Sequence, residues 1–319
     1  MQAIDRPANV PLEPAMQLNR TFLFAPANHE RRSEKVFTVG ADAAILDLED
    51  AVANAEKAAA RTSAADALRH RATLGSGTAV SPRTRAYVRV NALDTGLTFD
   101  DLDAVIVAGL DGIVLPKVNR PADAQMVDWV MTSLEARRGL TPGMIDLMPL
   151  IETAAGLGAV RDIANCGVGR MKRLSFGAGD YTRDLGMEWS RAEGELLPAR
   201  SEMVLAARMA GLEPPIDTVF IHINDADGFA ASATCSRDLG FQGRLCIHPD
   251  QVAATHTVFT PDVETAAWAA RIIEAFDEAE RAGLASIQVD GYFVDYPIVE
   301  KARRIVQLAD AARVTGADH

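Results

Sequence analysis

The chain has 319 residues, of which 48% are apolar and 24% charged, a composition typical of a globular protein with one large or two smaller domains. Its formal net charge of −12 argues against a nucleic-acid-binding surface, which needs a basic patch, and no apolar run reaches the roughly 18–20 residues of a membrane span. The first 19 residues lack a secretory signal pattern and the three cysteines lack metal-binding spacing, so the sequence predicts a cytoplasmic protein with reduced thiols.

Short β-rich segments alternate with helical patterns from residue 20 to residue 258. The predicted strands cover residues 21–25, 43–48, 87–90, 112–115, 147–152, 174–176, 217–223 and 244–247. The first predicted helix ends near residue 35, and four others cover residues 55–69, 99–108, 192–209 and 226–239. Two more helices begin at residues 121 and 249, and residues 75–82 are predicted to form a loop. Eight alternations favour an α/β fold of the (β/α)8 TIM barrel type over an open, doubly wound sheet. No glycine-rich dinucleotide or nucleotide-phosphate motif follows a strand.

Three more elements follow the predicted barrel. Apolar residues at helical spacing predict one long amphipathic helix over residues 261–282. Residues 286–294 indicate a hairpin that turns on Asp290-Gly291, and a last helix runs from residue 297 to about 313. The lid that these elements form would cover a barrel mouth, either its own or a neighbouring subunit's. We therefore predict a flexible N-terminal arm (1–19), a barrel catalytic domain (20–258) and C-terminal helices with a lid (259–319).

Two acidic residues follow two neighbouring strands at the point where each strand ends. Glu152 closes the apolar run that begins at Leu147, and Asp180 follows the glycine-rich end of the next strand. The carboxyl ends of barrel strands are where ligands bind, and a pair of carboxylates suits Mg²⁺, which keeps several of its waters. We therefore predict a magnesium site on Glu152 and Asp180. The alternative is that each carboxylate caps the helix that follows it.

More charged residues stand at the ends of the second and third strands. Asp47 and Glu49 alternate to one side of the chain, and Arg89 lies inside the third strand between two valines. An arginine that faces the lumen of a barrel needs an anion, because an unpaired buried charge is costly. Asp47, Glu49 or a substrate carboxylate could supply that anion. These residues therefore either orient the arginine and a metal-bound water or form a purely structural ion pair.

Other strand ends carry weaker signals. Lys117 follows the fourth strand and either contacts substrate or bonds to neighbouring acids. Gly179 lacks a Cβ, so the backbone beside it can approach a ligand closely. His248 follows the eighth strand and suits a cofactor contact better than catalysis. Asp295 precedes a predicted helix, where an acid is common for reasons of helix stability alone.

Several short motifs occur in a fixed order along the chain. They are residues 20–26 (RTFLFAP) with Lys35, 45–52 (ILDLEDAV) with Lys57, 88–91 (VRVN), 112–117 (GIVLPK), 151–153 (IET), 176–180 (FGAGD), 240–243 (GFQG) with 247–249 (IHP), and 294–297 (VDYP). Together they resemble the HpcH/HpaI aldolase and citrate lyase superfamily over about residues 20–310. Within it they look like the branch of citrate lyase β subunits, malyl-CoA lyases and citramalyl-CoA lyases.

The resemblance implies a (β/α)8 barrel with a C-terminal lid, assembled as a homotrimer or a hexamer. It implies Mg²⁺ on Glu152 and Asp180, a substrate-polarising role for Arg89, and Asp295 as an acid/base group that the lid delivers, often to the adjacent subunit. The expected catalytic residues are thus Asp295, Arg89, Glu49 and Asp47, and the expected contacts to substrate or CoA are Arg89, Glu152, Phe24, His29, Lys35, Gly179, Ile247 and His248. Against the family pattern, Ala27 replaces a common glycine, and His29 and Ala155 replace common arginines.

The implied reaction is the Mg²⁺-dependent, reversible Claisen cleavage of a 3-hydroxyacyl-CoA thioester. Substrates of the malyl-CoA, methylmalyl-CoA or citramalyl-CoA type would give acetyl- or propionyl-CoA and a 2-oxo acid. Two other activities stay open: that of a citrate lyase β subunit on citryl-acyl-carrier protein, and that of a metal-dependent aldolase on free 2-oxo acids. A third alternative, an inactive barrel that binds CoA esters, is opposed by the retained acids and arginine.

Overall fold

A computed structural model describes residues 17–73 and 84–314, so the predicted loop 75–82 and most of the predicted arm lie outside the described residues. The chain divides into two compact units, one of which covers Asn19–Phe259 while the other includes residues 260–314. These limits differ by one residue from the ends set for the barrel from sequence. No helix in the described ranges is both long and apolar enough to cross a bilayer.

Eight parallel strands close into a barrel, in which each strand pairs with the next and β8 pairs with β1. The strands are β1 Thr21–Pro26, β2 Ala43–Asp47, β3 Arg85–Arg89, β4 Gly112–Leu115, β5 Asp146–Ile151, β6 Ser175–Phe176, β7 Ile216–Asp217 and β8 Gly243–Cys246. This architecture confirms the predicted (β/α)8 fold. Strands β2 and β4 are buried along their whole length, which explains their nearly continuous apolar sequences.

Helices alternate with these strands. They are α1 Glu30–Lys35, α2 Lys57–Thr73, α3 Thr98–Val105, α4 Pro121–Arg137, α5 Ala154–Gly158, α6 Val160–Ala164, α7 Ala178–Leu185, α8 Leu197–Met209, α9 Ala226–Leu239 and α10 Asp250–Phe259. The start of α8 lies five residues after the predicted one. Glu193 has a left-handed backbone (φ 53°) that a helix cannot contain, and Pro198 sits in the first turn, where its missing N–H does no harm.

The prediction of a seventh strand over residues 217–223 is wrong in extent, because β7 ends at Asp217. The carbonyl groups that a longer strand would offer to a ladder accept hydrogen bonds from side chains instead. The Arg244 guanidinium donates to Thr218 O at 3.2 and 3.1 Å, and the Gln251 amide donates to Phe220 O at 2.9 Å. Side chains of β8 and α10 therefore hold the segment that follows β7.

Apolar side chains fill two layers of the barrel unit. Alternation along β1 sends Phe22 into the lumen and Leu23 toward the helices. The luminal layer contains Phe22, Ala43, Ile45, Tyr87, Val114, Met148, Leu150, Ile216 and Leu245. The larger layer packs the strands against the surrounding helices. Because buried apolar side chains occupy both layers, the residues at and beyond the strand ends are the ones available to form a site.

The second unit consists of α11 Val263–Arg281, β9 Ile287–Val289, β10 Tyr292–Val294 and α12 Tyr296–Val314. The antiparallel hairpin of β9 and β10 turns on Asp290 and Gly291, both with positive φ (49° and 83°), as predicted for this dipeptide. Ile272, Phe276 and Val299 are buried in a small core of this unit. The helices and hairpin of the predicted lid are thus present.

Candidate active site

Six charged side chains lie at or just beyond the carboxyl ends of β2 to β6, where parallel strands of a closed barrel all terminate on one side. They are Asp47, Glu49, Arg89, Lys117, Glu152 and Asp180. Five of the six are expected site residues from the sequence, and all six are linked through the contacts described below.

Arg89, the last residue of β3, is held by two acids and one ring. Its Nε and Nη2 donate to the two carboxylate oxygens of Asp47 at 2.8 and 2.6 Å, a bidentate pair. Its Nη1 lies 2.9 Å from Glu49 Oε2, and its Cζ lies 4.9 Å from the ring centroid of Phe24. Burial opposes charge on both partners, but their attraction lowers the pKa of Asp47 and raises the pKa of Arg89. The guanidinium is therefore charged and fixed in orientation.

Glu49 connects this pair to Lys117. Its Oε1 accepts a hydrogen bond from the Lys117 ammonium at 2.5 Å. Its Oε2 forms an ion pair with Arg89 but accepts no hydrogen bond from any residue in the described ranges. Burial raises the pKa of Glu49, and the neighbouring cations only partly offset the effect. Glu49 Oε2 is therefore a buried acceptor that could serve a water or a substrate group.

The predicted metal ligands Glu152 and Asp180 share one cationic neighbour. The Lys117 ammonium lies 2.9 Å from Asp180 Oδ2 and 4.0 Å from Glu152 Oε1, so both carboxylates point to one place. Lys117 also donates its backbone N–H to Glu152 Oε1 at 3.0 Å. Burial, with a contribution from Glu49, raises the pKa of Glu152 to about 8, which means that this carboxylate gains from added positive charge.

The backbone of Lys117 explains that contact. Its φ is 52°, a left-handed conformation that is uncommon for a residue with a side chain and that concentrates at functional sites. This turn aims the N–H of Lys117 at Glu152, while the side chain reaches Glu49 and Asp180. The sequence placed Lys117 at a strand end but left its role open. Its positive φ could not be read from the sequence.

Sequence reasoning missed one more partner of the acids. Arg183 Nη2 forms an ion pair with Asp180 Oδ1 at 2.8 Å, across one turn of α7. The spacing of three residues within a helix could have indicated this pair. Because Arg183 is 72% exposed, its contribution to the charge balance is screened by solvent.

The donor set of this site fits Mg²⁺. In residues 17–73 and 84–314, no group of three or more His, Cys, Asp or Glu could hold a metal ion. A metal here would therefore rest on Glu152 and Asp180, with its other positions filled by water or substrate oxygens. Mg²⁺ binds in this manner, through one or two carboxylates, and retains several waters.

The residues expected to contact CoA lie at neighbouring strand ends, because β1 pairs with β8. Phe24 is half-buried on β1, while His29 and Lys35 are exposed at the two ends of α1. Directly after β8, Ile247 is exposed and His248 is half-buried, and Ile247 N donates to Gln251 Oε1 at 2.9 Å. The structure thus brings the two predicted CoA segments to one side of the barrel.

Two other expected residues are Gly179 on α7 and Asp295 in the second unit. Gly179 is exposed in the first turn of α7, one residue before Asp180, and an added Cβ there would make only an ordinary contact with Trp189. Asp295 belongs to the second unit, between β10 and α12, where it is half-buried and accepts the Val299 N–H on its backbone carbonyl at 3.0 Å. The acid/base role of Asp295 stays a prediction.

Comparison with known proteins adds to this geometry. The sequence matches the family HpcH/HpaI aldolase/citrate lyase over residues 20–249. It is 34% identical to the citrate lyase subunit beta of Haemophilus influenzae, over 92% of this chain and 98% of that protein. It is 33% identical to the L-malyl-CoA/beta-methylmalyl-CoA lyase of Cereibacter sphaeroides, over 93% of this chain and 96% of that protein.

A solved structure is similar over nearly the whole chain. It is that of protein CitE from Mycobacterium tuberculosis in complex with magnesium, acetoacetate and coenzyme A. The two share 29% identity with a TM-score of 0.72, over 92% of this chain and 98% of the other. These matches agree with the resemblance carried by the sequence motifs and with the barrel fold.

Proposed function

Because the chain belongs to the HpcH/HpaI aldolase/citrate lyase family, we propose that it is a Mg²⁺-dependent carbon–carbon lyase acting on a 3-hydroxyacyl-CoA thioester. The reaction is the reversible Claisen cleavage of a malyl-, methylmalyl- or citramalyl-CoA type substrate into acetyl- or propionyl-CoA and a 2-oxo acid. The observation that supports the proposal best is that the carboxylates of Glu152 and Asp180 both face the Lys117 ammonium. The guanidinium of Arg89, fixed by Asp47, belongs to the same group of charges.

In this proposal Glu152 and Asp180 hold Mg²⁺, which when bound supplies Lewis-acid polarisation of the substrate's carboxylate and hydroxyl oxygens. Arg89 donates hydrogen bonds to the oxygen that gains charge as the carbon–carbon bond breaks. The bidentate contact with Asp47 and the ring of Phe24 keep the guanidinium in place, so little reorganisation accompanies the reaction.

Asp295 is the proposed proton donor and acceptor. In cleavage the hydroxyl group gives up its proton to water and becomes the carbonyl group of the 2-oxo acid. The bond between the hydroxyl-bearing carbon and the α-carbon of the thioester breaks, and its electron pair remains on the thioester as an enolate. Asp295 gives a proton to the α-carbon in cleavage and removes it in condensation. A carboxylate on a lid suits this task, because an enolate must be kept from bulk water.

The CoA portion is proposed to lie along the neighbouring ends of β1 and β8. Lys35 and His29 are exposed there and can face the phosphate groups, while Ile247 offers an apolar surface 37% exposed to solvent. The catalytic unit is proposed to be a cytoplasmic homotrimer or hexamer, as the resemblance implies. Light scattering of the purified protein would measure its mass.

A second candidate function is that of a citrate lyase β subunit acting on citryl-acyl-carrier protein. The 34% identity to the Haemophilus influenzae subunit over nearly its whole length favours this alternative. Both functions use the same proposed metal site and arginine, and they differ in the carrier of the thioester. The carrier is therefore the variable that the experiment must change.

The deciding experiment incubates the purified protein with Mg²⁺ and a panel of substrates, with products identified by mass spectrometry. The panel contains malyl-, methylmalyl- and citramalyl-CoA, citryl-acyl-carrier protein and a free 4-hydroxy-2-oxo acid. We expect cleavage of at least one CoA thioester, abolished by a chelator and restored by Mg²⁺. Cleavage of the carrier-protein thioester alone would favour the second function, and cleavage of the free acid alone would contradict both.

A further inference from the structure

Helix α7, which carries Asp180 in its first turn, begins without a capping side chain of its own. The residue at its N-cap is Gly177, and no side chain at that position accepts a hydrogen bond from the helix. Glycine is required here because an added Cβ would lie 2.5 Å from Glu152 Oε2 and 2.8 Å from Glu152 Cβ. The close approach of Glu152 therefore excludes the serine, threonine, asparagine or aspartate that usually satisfies the first N–H groups of a helix.

A residue from another strand end supplies the missing acceptor. Thr218, directly after β7, accepts the Ala178 N–H on its side-chain Oγ1 at 2.8 Å. Thr218 is 1% exposed and Ala178 is fully buried, so water cannot replace this bond. The carbonyl of Thr218 in turn accepts two hydrogen bonds from the buried guanidinium of Arg244, which fixes the backbone that presents the hydroxyl.

We propose that Thr218 is a positioning residue that holds Asp180 in register with Glu152. Ala178 stands two residues before Asp180 in the same turn, so the bond to Thr218 sets where that turn begins. On the other side, Gly177 N donates to the carbonyl of Ile151, next to Glu152, at 3.0 Å. The start of α7 is thus tied to both β5 and the end of β7.

This arrangement matters for the metal, and the inference therefore rests on the proposed metal site. Mg²⁺ demands nearly ideal geometry, with oxygen ligands at about 2.0–2.1 Å. Losing the Thr218 hydroxyl would leave the Ala178 N–H buried without an acceptor and release the first turn of α7. Asp180 would then move relative to Glu152. Substituting a residue that orients a metal ligand without binding the metal itself typically lowers metal affinity by about 10–100-fold.

The test measures Mg²⁺ affinity of the full-length protein by isothermal titration calorimetry. The melting temperature of each variant is measured in parallel by thermal unfolding. Two variants remove the hydroxyl group: Thr218→Val keeps about the same side-chain volume, and Thr218→Ala also reduces that volume. A third variant, Thr218→Ser, keeps it. The control is Thr21→Val, because Thr21 is equally buried and its hydroxyl accepts a backbone N–H from Asp42 at 2.9 Å, but at the start of β1. The same hydroxyl also lies 3.0 Å from His256 Nε2.

We expect Mg²⁺ affinity to fall by about 10–100-fold in Thr218→Val and Thr218→Ala. Thr218→Ser should restore an affinity close to that of the wild type. Thr21→Val should lower the melting temperature without weakening Mg²⁺ binding, which separates positioning from general stability. Should one hydroxyl-free variant fail to fold, the other gives the same comparison.

Three results would overturn the inference: wild-type affinity in the hydroxyl-free variants, no rescue by serine, or an equal loss of affinity in the Thr21 control. A wild-type protein that binds no Mg²⁺ would instead refute the proposed metal site itself. The two failures are distinguishable because only the second appears without any substitution.

Discussion

Replacing Asp47 by asparagine tests whether the orientation of Arg89 depends on a buried carboxylate. Each oxygen of Asp47 accepts two hydrogen bonds, one from Arg89 and one from the backbone. Oδ1 accepts from Arg89 Nε at 2.8 Å and from Glu49 N at 2.9 Å, and Oδ2 accepts from Arg89 Nη2 at 2.6 Å and from Ala51 N at 3.2 Å. Asparagine keeps one acceptor oxygen, so either orientation of its amide loses one bond of each kind.

The magnitude follows from this count. Both lost bonds end on the Asp47 carboxylate, and a hydrogen bond to a charged group contributes about 1.5–3 kcal/mol, so Asp47→Asn should cost about 3–6 kcal/mol of unfolding free energy. The contact between Arg89 and Glu49 remains and prevents a larger loss. Burial opposes the ionised form of Asp47, but Arg89 lowers its pKa below the ordinary value. The stabilisation is therefore full above about pH 4 and is lost as the pH falls through the folded-state pKa.

The assay is urea denaturation near neutral pH in the presence of a chelator, so that metal binding does not contribute. Asp66→Asn is the matched control, because Asp66 forms an ion pair of 2.9 Å with Arg69 on the exposed face of α2. This control should change the unfolding free energy by at most about 0.5 kcal/mol. If Asp47→Asn costs no more than the control, the claim that Asp47 anchors Arg89 is refuted.

Three more substitutions test other parts of the argument. Asp295→Asn should keep Mg²⁺ and CoA binding in calorimetry but reduce turnover by about 10²–10⁴-fold, because it removes the proposed proton donor. Glu152→Ala should abolish measurable Mg²⁺ binding and with it the metal-dependent activity, since it removes one of two proposed ligands. Burial lowers the pKa of His256 to about 4, although Asp42 favours the charged form, so unfolding takes up a proton between about pH 4 and 6.5. The wild type should therefore lose about 2–3 kcal/mol more than His256→Gln between pH 7 and pH 4.5, as measured by urea denaturation.

Each of these predictions has an outcome that contradicts it. Near-normal turnover in Asp295→Asn would show that another group moves the proton. Unchanged Mg²⁺ affinity in Glu152→Ala would remove that residue from the metal site. Parallel stability curves for the wild type and His256→Gln would mean that the histidine titrates alike in the folded and unfolded protein.

The sequence by itself determined the fold class and which charged residues stand at the ends of the strands. Alternating apolar strands and helical patterns are local properties, and eight such pairs close into the observed barrel. Since the carboxyl ends of parallel strands meet on one side, the positions of Glu152, Asp180 and Arg89 at strand ends were enough to expect them together. The hairpin turn at Asp290 was equally local, because that dipeptide tolerates positive φ at both positions.

Only the tertiary structure decided which charges pair and what holds them. Arg89 meets Asp47 across 42 positions of sequence and Lys117 meets Glu49 across 68, and no local pattern specifies such contacts. The left-handed turn at Lys117, the early end of β7 and the hydroxyl of Thr218 at the start of α7 likewise depend on neighbours from other strands. Local periodicity fixes which face of an element is buried, whereas closure of the barrel brings distant polar groups within hydrogen-bonding distance.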